Sequence, residues 1–163
     1  MLPAALTDPA AAIAERLTAR GQTLAVAESS AGGLISAALL AVPGASAYFR
    51  GGFVIYTLDG VKEQLVGVPP LPAGVRSASE PFAGWLACSV AAKLGADWGL
   101  GETGAAGPSG NPYGDPAGHA WLAVRRPGGE VLTRHLLTGR ADREQNMESF
   151  AAGGLALLLD ALS

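Results

Sequence analysis

The chain holds a single cysteine, Cys88, two lysines, Lys62 and Lys93, and two histidines, His119 and His135, among 163 residues. One cysteine excludes an intramolecular disulfide and fits a reducing compartment. With so few nitrogen and sulfur ligands, no zinc constellation presents itself and no metal or cofactor is expected. Charge is sparse as well: 11 Lys and Arg stand against 14 Asp and Glu, for a net charge of −3. No basic stripe and no Lys/Arg cluster interleaved with aromatics occurs, which argues against a nucleic-acid partner. Hydrophobic residues make up 49% of the chain. No run reaches the ~18 apolar residues that a spanning helix requires, so no membrane partner is expected. The segment Met1-Leu2-Pro3-Ala4-Ala5 has neither the basic nor the apolar part of a signal peptide, and a cytoplasmic location is expected.

Alanine and the 23 glycines supply much of the apolar count. They point to a tightly packed core and to apolar helix faces suited to a homo-oligomer, expected as a dimer. The length suits one domain over 1–163. Periodicity predicts helices over 8–20, from Leu34 to about Val42, from Ser77-Ala78-Ser79-Glu80 to Leu94, and from Asp142 to Leu162, with a short one capped by Asp59. Strands are predicted over 23–27, 51–57, 97–102, 118–125 and 130–137, the last two joined as a hairpin across Pro127-Gly128-Gly129. Early alternation of helix and strand followed by a hairpin predicts an α/β protein, a three-layer α/β/α with a mixed sheet of about five strands.

Four turns carry candidate site residues. Ala27-Glu28-Ser29-Ser30-Ala31-Gly32-Gly33 runs from strand into helix, where free backbone N–H groups favour negative charge. A serine there is placed to attack a carbonyl whose oxyanion those amides stabilise; the plainer alternative is that Ser29 or Ser30 merely caps the helix. The glycine run Gly101-Glu102-Thr103-Gly104-Ala105-Ala106-Gly107-Pro108-Ser109-Gly110 opens a long loop suited to cradling a phosphate or an amide. A literal G-x-G-x-x-G at Gly99, Gly101 and Gly104 is followed by Pro108 rather than a helix, so it is no dinucleotide fingerprint. Lys62, after Tyr56, is the leading base for a serine nucleophile, but a neutral lysine at ordinary pH demands desolvation, and an exposed surface lysine is the common alternative. Arg143 either meets a phosphate or carboxylate or sits at a solvated helix start. Cys88, His119 and His135 read as packing or satisfied residues.

In this order and spacing the motifs resemble the CinA C-terminal domain family, over about residues 10–162. They are Ala27-Glu28-Ser29-Ser30-Ala31-Gly32-Gly33, Pro43-Gly44-Ala45-Ser46-Ala47-Tyr48-Phe49, Gly51-Gly52-Phe53-Val54-Ile55-Tyr56, Thr103-Gly104-Ala105-Ala106-Gly107-Pro108 and Asp142-Arg143. The family includes stand-alone nicotinamide-nucleotide amidohydrolases. The resemblance implies an α/β/α fold, a small-molecule substrate, and hydrolysis of the carboxamide of nicotinamide mononucleotide to the acid and ammonia by a Ser/Lys pair without metal. Carried over by position, it makes Ser29 the nucleophile, Lys62 the base and Tyr56 their support. Ser30, Ala31, Gly32, Gly33, Ser46, Thr103, Gly104, Ala105, Gly107 and Arg143 become substrate-binding residues. Four positions depart from the family pattern: Ser30-Ala31 replace Cys-Thr, Lys62 stands one residue late, Glu102 replaces an apolar residue, and Met147-Glu148-Ser149 replace an Arg-Arg-Gln segment. Glu102 is therefore expected to point toward the substrate site. The alternative function is a non-catalytic nucleotide- or metabolite-binding module of the same fold.

Overall fold

A computed structural model describes residues 1–163. The order is α1 (Ala4–Arg20), β1 (Leu24–Glu28), α2 (Leu34–Leu40), a 3₁₀ turn (Ala45–Ala47), β2 (Phe49–Val54), α3 (Leu58–Gln64), α4 (Glu80–Leu94), β3 (Trp98–Ala105), β4 (His119–Arg125), β5 (Val131–Leu137) and α5 (Arg143–Ala161). One mixed sheet in the order β2-β1-β3-β4-β5 organises them. β1 is parallel to β2 and β3, and the hairpin β4–β5 joins antiparallel. The central strands are buried on both faces, as the unbroken apolar run Leu24-Ala25-Val26-Ala27 requires.

Helices cover both faces. On one, α1, α2 and α5 close the main core through Leu6, Ile13, Leu17, Ile35, Leu39, Phe150, Leu155 and Leu158. On the other, α4 lies over β1 and β3 with Phe82, Leu86 and Val90 inward. The glycines of the literal G-x-G-x-x-G explain how close that approach is. A Cβ at Gly99 would collide with the carbonyl oxygen of Ala87, and one at Gly101 with that of Ala83. Gly99 and Gly101 are a seat for α4, while a Cβ at Gly104 would meet the His119 carbonyl oxygen of β4.

Boundaries differ from the periodicity in two informative places. α1 begins at Ala4 and carries Pro9 inside it. Pro9 cannot donate to the helix ladder, but Leu6 and Ala10 on either side of it are buried, so packing carries the helix through. α3 is capped by Thr57, whose hydroxyl accepts from Gly60 N–H at 3.1 Å, and not by Asp59.

After β1 the chain leaves to α2 on one face, and after β2 it leaves to α3 and α4 on the other. Such a reversal opens a crevice at the carboxyl ends of the two strands. The residues that follow β1, Ser29 onward, and those that follow β2, Tyr56 onward, flank it.

Candidate active site

The turn after β1 is built around two buried carboxylates. Glu28 Oε1 accepts from the N–H groups of Gly33 at 2.8 Å and Ile35 at 3.1 Å. Its Oε2 accepts from both N–H and Oγ of Ser36 at 2.8 Å. Glu28 thus satisfies the free amides at the start of α2, and no serine caps that helix. Gly32 and Gly33 make the route possible, with φ of 68° and 99° in the left-handed region.

The second carboxylate comes from β3. Glu102 is fully buried, and its Oε2 accepts from Ser29 N–H and Ala31 N–H, both at 2.9 Å. It does not point toward an open substrate site as its sequence position suggested; it fills the turn from within. Burial, opposed by these amide hydrogen bonds and assisted by the nearby Glu28 charge, pushes its pKa up to about 7. Its Oε1 is buried with no partner. Five of the amides expected to serve as an oxyanion hole are therefore committed: Ser29 and Ala31 to Glu102, Gly33 and Ile35 to Glu28, Gly32 to the Ser29 carbonyl.

The two serines of the turn part company. Ser30 is buried, and its hydroxyl donates to the Gly104 carbonyl at 2.7 Å, tying the first turn to the glycine run of β3. Ser29 is half-buried, and no hydrogen bond within the chain engages its hydroxyl. It lines a cavity of about 70 Å³ with Ile55, Tyr56, Thr57, Ser77 and Phe82. Beside it a polar cleft of about 230 Å³ is lined by Ser30, Tyr56, Gly104, Ala105, Gly107 and Arg143 among others. Tyr56 belongs to both.

Arg143 is no idle helix start. Its Nη1 donates to the Gly107 carbonyl at 2.6 Å and its Nη2 to the Tyr56 hydroxyl at 2.9 Å. One guanidinium thus fastens the glycine loop to the residue after β2. Asn146, one turn along α5 and fully buried, supports it. Its Nδ2 donates to the Ala106 and Arg140 carbonyls at 2.8 and 2.9 Å, and its Oδ1 accepts from the Thr138 hydroxyl.

Three expected site residues lie elsewhere. Lys62 is exposed beside Asp59, with 4.0 Å between the charged atoms. It lines a separate, apolar cleft of about 270 Å³ with Leu65, Pro69 and Trp85, which adjoins the Ser29 cavity through the shared walls Leu58 and Val61. No hydrogen bond joins Lys62 to Ser29, and the Lys62 side chain is 75% exposed. Thr103 is buried beneath the surface, its hydroxyl accepting from Ala78 N–H at 3.0 Å. It shapes the segment carrying Ser77 instead of meeting the cleft. Ser46 sits in the 3₁₀ turn before β2 and is exposed; Phe49 pairs with Leu24, so this is the opposite end of β1 from Ser29.

Sequence reasoning missed a polar chain along the antiparallel strands. His119 Nε2 donates to the Ala78 carbonyl at 2.7 Å, and His119 Nδ1 accepts from His135 Nε2 at 2.8 Å. Trp121 stacks on His135 with centroids 4.6 Å apart. Asp115, which receives a bidentate Arg76 at 2.7 and 3.2 Å, completes it. This chain fixes Ala78, whose φ of 55° is unusual for a residue with a side chain. Cys88, expected as a packing residue, is exposed on α4.

Comparison with known proteins agrees with this architecture. The model of the CinA C-terminal domain matches residues 6–162. A CinA-like protein of Anaeromyxobacter sp. strain Fw109-5 is 43% identical over 149 residues, which are 91% of this chain and 36% of the relative. The chain thus spans about a third of the length of the curated relatives it matches. The crystal structure of the competence/damage inducible protein CihA from Agrobacterium tumefaciens superposes with a TM-score of 0.88 at 30% identity, covering 99% of this chain and 98% of that one. The competence or damage-inducible protein from Enterobacter asburiae gives a TM-score of 0.88 at 31% identity, covering 97% and 98%. With its sheet order, its Ser29 turn and its glycine loop in place, this chain belongs to the CinA C-terminal domain family.

Proposed function

We propose that this chain is an amidohydrolase that attacks the carboxamide of nicotinamide mononucleotide, or of a related pyridine nucleotide, through Ser29. The observation that carries the reading is the division of labour in the turn after β1. Glu28 takes the capping role and Ser30 the bridging role, so the Ser29 hydroxyl alone is left free at a cavity wall. The carboxamide enters beside Ser29, and the phosphorylated end lies in the adjoining cleft by Arg143 and the Gly104–Gly107 amides.

In this mechanism the Ser29 Oγ adds to the amide carbonyl as its proton passes to the base, ammonia leaves with a proton, and water releases the acyl group. On this reading Lys62 fills the role of base, from a cleft that shares its walls Leu58 and Val61 with the Ser29 cavity. Tyr56, held by Arg143, orients the incoming groups.

The test is ammonia release from nicotinamide mononucleotide. The wild-type chain turns over, and Ser29→Ala loses at least about a thousandfold in kcat while keeping its melting temperature. Undiminished turnover in Ser29→Ala overturns the assignment. A second reading is favoured by one observation: the Ser29 and Ala31 amides are held by Glu102, and Lys62 lies outside the cavity. On that reading the chain binds the nucleotide without hydrolysing it, and the same experiment gives a raised melting temperature with ligand and no ammonia.

A further inference from the structure

Glu102 is the anomaly of the site. A fully buried carboxyl is rare unless its oxygens are satisfied, and here one oxygen accepts two amides while the other has no partner. The two amides are those of the proposed nucleophile and of the second residue after it. β1 sets Ala27 beside Gly101, so Glu102 lies beside the end of β1 and directly under the turn.

Few charges act on it. Glu28, from β1, is the one charged side chain whose field reaches Glu102. α2 carries no ionisable residue along Leu34–Leu40. β4 sets Leu122 opposite it, with His119 and Arg125 at the two ends of that strand. On α5 the residues Arg143, Glu144 and Glu148 are exposed. No cation faces the carboxyl, so a proton is what neutralises it.

We propose that Glu102 is the positioning residue of the Ser29 turn: it grips the Ser29 and Ala31 N–H groups from inside the protein, and a proton on its unpartnered oxygen decides how readily an oxyanion develops on a substrate attacked by Ser29. The inference rests on Ser29 as the nucleophile. With the proton on Oε1, Oε2 is a neutral carbonyl oxygen that orients the two amides and adds no charge. With the proton released to solvent, a full negative charge sits against the Ser29 backbone, in surroundings too apolar to screen it, and opposes the negative charge that forms on the substrate oxygen. The pKa of about 7 places that exchange in the neutral range.

The experiment follows the backbone amide resonances of Ser29 and Ala31 from pH 5.5 to 8.5 in the wild-type chain and in Glu102→Gln, alongside turnover of nicotinamide mononucleotide. In the wild type both resonances move together with a midpoint of about 7, and in the variant both stay flat. The ratio of wild-type to variant kcat falls on the order of tenfold across the same range, with KM little changed. Static wild-type amides, or a titration that persists in Glu102→Gln, overturns the proposal, as does a kcat ratio that ignores pH. If the wild-type chain releases no ammonia, the amidohydrolase reading fails by itself, and the amide titration still decides whether Glu102 grips the turn through a titrating carboxyl. Should Glu102→Gln fail to fold, the wild-type resonances decide alone.

Discussion

The inner and outer faces of the Ser29 turn are built by opposite rules. Inside, Glu28 and Glu102 are fully buried, and between them they take up the amides of Ser29, Ala31, Gly33, Ile35 and Ser36. Outside, Ser29, Tyr56 and Lys62 are half-buried or exposed, and Arg143 reaches Tyr56 across the chain. The inner face fixes the backbone, and the outer face keeps side chains available. Side chains can stay underconstrained there because buried carboxylates carry the structural work. The two carboxylates also differ from each other: Glu28 has a partner on each oxygen, Glu102 on only one.

The largest effect expected from breaking the inner face is at Glu28. Glu28→Ala leaves three amides and a hydroxyl without their acceptor, and should cost at least about 3 kcal/mol in urea unfolding. Next comes Glu102, where the effect depends on pH. Its native pKa of about 7 lies above the ordinary value of 4.5, so the native state holds the proton to higher pH than the unfolded chain does. Its contribution is therefore fully present below about pH 4.5 and is lost as pH rises through 7. The stability of Glu102→Gln relative to wild type should rise by about 3 kcal/mol over that window, read from denaturation at several pH values. A difference that stays constant with pH would show that Glu102 does not titrate between the native and unfolded states over that window.

On the outer face the effects move from stability to function. Tyr56→Phe removes the hydroxyl that Arg143 holds, and should change unfolding free energy by less than about 0.5 kcal/mol because the side chain is exposed. It should weaken nucleotide binding about fivefold in a calorimetric titration. Lys62→Met is the smallest perturbation of the fold: its one ion pair is exposed, so the melting temperature should stay unchanged. If Lys62 is the base, kcat in that variant nevertheless falls by about a hundredfold or more. Unchanged turnover would leave Lys62 as a surface residue and send the search for the base elsewhere on the outer face.

Local patterns made much of the fold legible. The apolar run at 24–27, the helix start at Asp142 and the Pro127-Gly128-Gly129 hairpin are signals contained within a few residues, and the structure places elements there; the start of α4 lies within Ser77-Ala78-Ser79-Glu80, but its cap is Ser79 and not Ser77. Legibility failed where two local signals competed or where the partner was far along the chain. Thr57 and Asp59 are both good caps, and the helix begins at Leu58 with the Thr57 hydroxyl accepting from Gly60 N–H. Thr103 looks available in the glycine run, but β3 turns it under Ala78. Asn146 sits in a polar stretch at a helix start, yet it meets carbonyls 40 and 6 residues away.

The sequence by itself determined the order of helices and strands, the mixed sheet, and the turns that carry Ser29, the glycine loop and Arg143, because periodicity, capping and turn chemistry act over short spans. The tertiary structure alone decided which groups occupy the Ser29 amides. Glu102 is 73 residues from Ser29 in the chain, and only the parallel pairing of β1 with β3 brings its carboxylate beneath that turn, where burial raises its pKa.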